Sequence, residues 1–189
     1  MDYTKIVYIS LGSDCSVAYQ IQKFVNQSRY PFDWIRINNI YDLEEIIETK
    51  FQFFINFDLF NFDKESDKFP YFEDNWIDDT SSNIIIKHKK YNIVFPHDVS
   101  KKDKDISLVK MMDGYKRRIE RFYETLNDKN IKKVFIRLTH KNEDITKLNI
   151  LLSQITCNYE IKLIKIDKTI KYESWKKDEI NWKDIIEFL

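Results

Sequence analysis

Residues Ile6-Val7-Tyr8-Ile9-Ser10-Leu11 form a nearly unbroken apolar run that stops at Gly12, one of only two glycines in the chain. Ser13, Asp14 and Cys15 follow, and a helix-like pattern continues to Val25. Such a run, bounded by a turn residue and followed by a helical pattern, reads as a buried strand, a tight turn and a helix. The strand is expected over Lys5–Ser10 and the helix over Asp14–Val25. Ser13 or Asp14 is the expected N-cap, because a short side-chain oxygen can accept from the first free N–H groups. The turn therefore sets a thiol at a helix start, where unpaired N–H groups and about half a positive charge gather. That setting favours the thiolate, the form that attacks carbonyls. Cys15 is thus a candidate nucleophile, expected to be partly exposed. The alternative is a small buried cysteine filling a helix–sheet contact.

The rest of the pattern sets the fold in which this unit sits. Ile40, Leu43, Ile46 and Ile47 predict a helix over Ile40–Lys50, and Phe51–Trp76 lacks a clear period and reads as an irregular insertion with short helical pieces. Asn83–His88 and Tyr91–Phe95 read as an antiparallel hairpin, ended by Pro96-His97-Asp98 and followed by a charged linker over Val99–Asp105. Leu108, Met111, Met112, Tyr115, Ile119, Phe122 and Leu126 fall on one face of a helix over Ser107–Asn127. Lys132–Leu138 and Tyr159–Ile166 read as strands, and Asp144–Ile155 and Trp182–Leu189 as helices. Strands separated by helices predict a single α/β domain over residues 1–189, with three α/β/α layers and a mainly parallel, Rossmann-like central sheet. The hairpin and the irregular insertion are additions to it. Ligands bind such sheets beyond the carboxyl ends of the strands. That rule places the Gly12–Cys15 turn, and the Thr139-His140 loop, at the functional edge.

Composition narrows the partners. Lys plus Arg and Asp plus Glu number 31 each, giving zero formal charge, which supplies no global attraction for nucleic acid or anionic membrane. Cys15 and Cys157 cannot build a disulfide framework, so a reducing compartment is expected. No basic leader with a long apolar core and no membrane-length apolar run is present in the sequence. A cytoplasmic protein with neither membrane nor nucleic-acid partners is the expectation; the oligomeric state is left open. A Gly-rich phosphate loop, a dinucleotide fingerprint and zinc-spaced Cys or His are all missing, so neither metal nor cofactor is expected.

A thiol hydrolase needs a base, usually His, oriented by a third polar group. His97, between Pro96 and Asp98 after an apolar strand, is the first candidate base, and His140 the second. His88, beside Lys87 in a strand pattern, is expected to be solvated. Asp98, Asp33 and Asn142 are candidate orienters of the imidazole. In Tyr30-Pro31-Phe32-Asp33-Trp34, the aromatic residues form either a wall beside the site or a plug for the core. Arg137 interrupts the apolar strand Val134–Leu138, and a buried charge needs a partner. Asp33 or Asp98 is the expected carboxylate, either closing a structural clamp or leaving an open anion site. The basic stretch Tyr115–Arg121 reads as a solvated face, or as one with an arginine turned inward for a carboxylate or phosphate. Gly12-Ser13-Asp14-Cys15 also reads as a distorted Gly-Asp-Ser turn of SGNH-type esterases. Ser13 or Cys15 would then be the nucleophile, with His140 as the late histidine.

Four blocks occur in order: Leu11-Gly12-Ser13-Asp14-Cys15-Ser16-Val17-Ala18, Pro31-Phe32-Asp33-Trp34, Phe95-Pro96-His97-Asp98 and Tyr115-Lys116-Arg117-Arg118-Ile119-Glu120-Arg121-Phe122. With Phe135-Ile136-Arg137, they resemble the papain-like cysteine peptidase family, a domain of unknown function, from about Lys5 to Leu138. The resemblance implies a Cys15/His97 dyad in a cysteine peptidase or related hydrolase, acting on a peptide, glycan or small-molecule substrate. The chain departs from papain itself in lacking Cys-Gly-Ser-Cys-Trp around the nucleophile. The resemblance also implies, as a second class, a glycan-directed transferase or hydrolase holding its sugar through Arg137, Asp33 and Trp34. A non-catalytic binding module using the same pocket is the third class.

Overall fold

The computed structural model describes residues 5–62, 82–140, 142–167, 169–170 and 172–186. In chain order the elements are β1 (Lys5–Ser10), α1 (Cys15–Val25), β2 (Arg36–Ile37), α2 (Ile40–Glu48), a short 3-10 helix (Phe57–Leu59) and β3 (Phe60–Asn61). They continue with β4 (Asn83–His88), β5 (Ile93–Ser100), α3 (Lys104–Asn127), β6 (Ile131–Thr139), α4 (Thr146–Ile155), β7 (Tyr159–Lys165) and α5 (Trp182–Ile185). The insertion expected over Phe51–Trp76 is irregular as far as it is described, and its part beyond residue 62 lies outside the described residues. So do the last three residues of the helix expected over Trp182–Leu189.

β1, β6 and β7 form a parallel sheet with β6 in the centre; Lys5 pairs with Ile131 and Lys133 with Tyr159. Side chains alternate across it with the period of two that a pleated strand imposes. Val7, Ile9 and Phe135 enter a large core with Leu43 and Ile46 of α2, Leu148 and Leu152 of α4, and Phe122 of α3. Tyr8, Val134, Ile136 and Leu138 enter a second core with Val17 and Ile21 of α1, Trp182 and Ile186. Both faces are buried, which explains why β1 and β6 read as nearly continuous apolar runs.

The hairpin does not join this sheet. β2, β5, β4 and β3 make a separate antiparallel sheet of four strands, so the α/β chain holds two sheets where one central sheet was expected. β2 and β3 have two residues each, too short to show any period in sequence. β5 also runs on to Ser100, past the expected end at Phe95. Ile86 faces Phe95 and Ile84 faces Val99, so two steps along β4 oppose four along β5. Pro96, His97 and Asp98 occupy this bulge, where a proline without an N–H is tolerated.

The two sheets meet at Gly12 and Arg137. Leu11 N–H donates to the Ile136 carbonyl at 2.9 Å, and Ile37 N–H donates to the Gly12 carbonyl at 2.5 Å. Gly12 has φ +70°, and a Cβ there would lie 3.0 Å from Ile37 Cδ1. Glycine is therefore required both by conformation and by space. Arg137 is 1% exposed. Its Nε and Nη2 donate to the Glu143 carboxylate at 2.6 and 2.9 Å. Nη1 and Nη2 also donate to the Leu11 and Ile37 carbonyls at 3.2 and 3.3 Å. The partner is thus Glu143, from the loop after β6, and not Asp33 or Asp98. The fork is closed on both sides, the clamp form of the two arrangements expected.

Replacing Arg137 by Met strands the Glu143 carboxylate and two carbonyls, and should lower stability by about 3–5 kcal/mol in urea denaturation. Arg137→Lys should recover only part, because an ammonium cannot reproduce the bidentate fork. The double variant with Glu143→Met should be more stable than Arg137→Met alone.

Candidate active site

Cys15 is the first residue of α1, and Asp14 is its N-cap, extended at φ −157° and ψ 144°. The Asp14 carboxylate accepts from Ser16 N–H at 2.8 Å. Ser13 Oγ accepts from Leu138 N–H at 2.8 Å, pinning the turn to β6. The thiol thus stands where the sequence placed it, but its state differs. Cys15 is 2% exposed, and not partly exposed as expected. Burial pushes its pKa up to about 11; a hydrogen-bonding Arg36 opposes the rise, while Asp14 and Asp98 add to it. At neutral pH the sulfur keeps its proton, because loss of water outweighs the helix terminus and the guanidinium.

His97 and Asp98 come from the β5 bulge, a backbone device that re-aims side chains next to functional sites. The His97 ring stands at 85° to that of Trp34, with centroids 5.9 Å apart. Burial lowers its pKa against the opposing pull of Asp98, and Arg36 lowers it further. Asp98 accepts from the Tyr115 hydroxyl at 2.9 Å and lies 3.8 Å from Arg118 Nη2. Burial raises its pKa despite Arg118, Tyr115 and His97. Arg36 and Asp98 thus act on both Cys15 and His97. Among the described residues no hydrogen bond joins Cys15 to His97.

The aromatic block divides between the two roles expected of it. Phe32 is fully buried and packs on Phe51, Phe54 and Phe122, a core plug. Trp34, at φ +65°, contacts His97, has the Arg29 guanidinium 5.7 Å from its ring centroid, and meets Trp175 at 6.2 Å. Asp33 is buried and accepts from Tyr30 N–H at 2.8 Å. Burial raises its pKa to about 7 although Tyr30 N–H, Arg118, Arg29 and Arg121 oppose this. His140 lies exposed just beyond β6, and Asn142 is exposed near Lys165; among the described residues no hydrogen bond links either to Cys15. His88 is buried, contrary to the solvated position expected. Its Nδ1 accepts from Lys90 and Tyr91 N–H, and Nε2 bonds the Phe53 carbonyl at 2.9 Å. The turn after β4 folds over the ring, which a strand pattern alone does not reveal.

Residues 172–186 lie against the start of α1. Lys177 Nζ pairs with Asp14 Oδ2 at 3.1 Å, and Gln20 Nε2 donates to the Lys176 carbonyl and Asp178 at 2.8 and 2.9 Å. Trp175 meets Tyr19 edge-on at 5.2 Å. Trp182 Nε1 donates to the Lys177 carbonyl at 2.8 Å, holding Lys177 at φ +51°. Arg36, Trp175 and Lys177 were missed at the sequence level; Arg118 was visible there only as a member of a basic helical stretch, and Tyr115 also as part of the apolar helix face. Among the described residues, no group of three or more His, Cys, Asp or Glu is placed to hold a metal, and no helix is long and apolar enough to cross a membrane.

A family model described as "putative papain-like cysteine peptidase" matches residues 6–171. An uncharacterized protein of Acanthamoeba polyphaga mimivirus is 28% identical over 216 residues, spanning 95% of this chain and 96% of that one. No solved structure matches.

Iodoacetamide should modify exposed Cys157 readily and Cys15 slowly at neutral pH, with the Cys15 rate climbing towards its pKa of about 11. Lys177→Ala, by loosening residues 172–186, should speed Cys15 labelling. Equal rates at both cysteines near pH 7 would contradict the buried thiol. Asp33 gives a second test. The unfolded chain releases its proton near the usual carboxylate pKa of 3.8, but the folded chain holds it to about 7. Stability should therefore fall as pH rises through that window and level off above it. Asp33→Asn should remove that fall, read from urea midpoints across the window.

Proposed function

The chain belongs to the family described as "putative papain-like cysteine peptidase", and on that premise we propose a thiol-dependent acyl hydrolase. Cys15 is its nucleophile and His97 its acid and base. The observation that carries the reading is that Cys15 and His97 share Arg36 and Asp98 at the start of α1. A thiol alone at a helix start would be a weaker case.

In this reading the neutral His97 imidazole takes the Cys15 proton as the sulfur attacks the acyl carbon, and Asp98 favours the imidazolium that forms. Arg36 and the free N–H groups of α1 stabilise negative charge on sulfur and then on the oxyanion. His97 returns the proton to the leaving group. It then activates the water that cleaves the thioester and regenerates the thiol. The protonated, covered sulfur is a resting form; hydrogen bonds of this kind tighten in the substrate complex. A peptide bond is one acyl target among several, and the geometry of the site does not single it out.

A panel of peptide amides and activated esters tests the reading. Cys15→Ala should abolish turnover, and His97→Ala should lower it by about 10²–10⁴-fold. Arg36→Ala should cost more than Arg36→Lys. The acid limb of the rate profile should lie below the ordinary imidazole pKa of 6.5, following the lowered His97. Turnover that survives Cys15→Ala overturns the proposal, and nucleotide-sugar binding without thiol-dependent turnover would favour a glycan-binding site.

A further inference from the structure

The surroundings of Cys15 hold more positive charge than thiol chemistry alone requires. Arg29, Arg118 and Arg121 act on Asp33, Arg29 and Arg118 act on Asp98, and Arg36 acts on Cys15 and His97. Three guanidinium groups thus act on the buried Asp33 and the half-buried Asp98, both of which desolvation biases towards the neutral acid, and a fourth, Arg36, acts on Cys15 and His97. The arginines are also held in place. Arg121 Nη1 donates to the Arg29 carbonyl at 2.5 Å, Arg29 lies over Trp34, and Arg118 lies 4.5 Å from the Tyr115 ring centroid.

Hydrogen bonding leaves two of the donors in this region over. Arg118 stands 3.8 Å from Asp98, beyond hydrogen-bond length, and among the described residues its buried Nη1 has no acceptor. The buried Trp34 Nε1 likewise has no acceptor among the described residues. The two side chains flank the same His97-Asp98 bulge, one contacting His97 and the other Asp98. Guanidinium and indole groups donate and do not accept, so the partner that suits both is a group that only accepts. Carboxylate and phosphate are such groups, and charge strengthens the bonds they make to arginine.

We propose that the Cys15 site selects substrates bearing a carboxylate or phosphate, bound by Arg118 and Arg29 and by the Trp34 indole N–H. The proposal rests on Cys15 as the nucleophile and specifies what the acyl group must carry. Trp34 and Trp175 offer flat apolar area beside that anion for the rest of the substrate.

Two alkylating reagents of nearly equal size test it, one anionic and one neutral. The ratio of iodoacetate to iodoacetamide rates at Cys15 should exceed the ratio at exposed Cys157 by about tenfold, within the worth of one charge-assisted hydrogen bond. Added salt should reduce the difference. Arg118→Gln and Arg29→Gln, checked for folding by their urea midpoints, should bring the ratio down to that of Cys157. Calorimetric titration of Cys15→Ala with inorganic phosphate and with succinate reads binding without the thiol, and the tighter anion identifies the preferred chemistry. Equal ratios at the two cysteines, with neither anion binding, overturn the proposal. Anion binding with a Cys15 that resists both reagents upholds the anion site and removes the nucleophile. An inert thiol with no anion binding removes both.

Discussion

Arg137 is the point on which the two sheets depend. Taking a guanidinium out of water costs several kcal/mol unless its donors are matched, and here Glu143, the Leu11 carbonyl and the Ile37 carbonyl match them. Those partners come from the loop after β6, the end of β1 and the end of β2. One side chain thereby fixes the turn that carries Cys15 against the strand that carries Arg36. Gly12 completes the junction, since only a residue without a Cβ fits against Ile37 at that φ.

Much of the first sheet and its helices could be read from the sequence because both faces of β1 and β6 are buried. Buried strands show as apolar runs, and the Gly12–Cys15 turn with its Asp14 cap has a local chemical signature. Of the second sheet, only the β4–β5 hairpin left such a trace. β2 and β3 are too short for periodicity, and the Pro96 that marks a strand end in sequence instead sits in a bulge. Arg137 announced a buried pair, but the partner depends on how the loop after β6 folds back, which no pattern encodes. In the site, Cys15, His97, Asp98, Asp14 and Trp34 were legible as motif residues. Arg36 was not, since one arginine after an aromatic turn looks like any surface cation. Trp175 and Lys177 lie in a polar-aromatic stretch with no period, and their packing on α1 is purely tertiary.

Burial acts on the two central groups in opposite directions with one result. It raises the pKa of the thiol and lowers that of the imidazole, so both are held in their neutral forms. A thiolate would put a charge on Cys15 in a poorly hydrated place, whereas the His97 ring keeps an exposed face. The same poor hydration strengthens Arg36 and the α1 terminus once charge appears there. The site is therefore arranged to stabilise charge that develops during a reaction more than charge that waits for one.

Residues 172–186 hold the Asp14 that caps α1 and the Tyr19 one turn further on, so the docking of that segment and the state of the sulfur are thermodynamically linked. Linkage is reciprocal: if release of the segment lets water reach the thiol and makes it more acidic, ionising the thiol must favour release by the same free energy. Trp175 and Lys177, through Tyr19 and Asp14, then serve as a gauge of the sulfur. A chemical event at Cys15 becomes legible as a change in how tightly a distant stretch of the sequence is held.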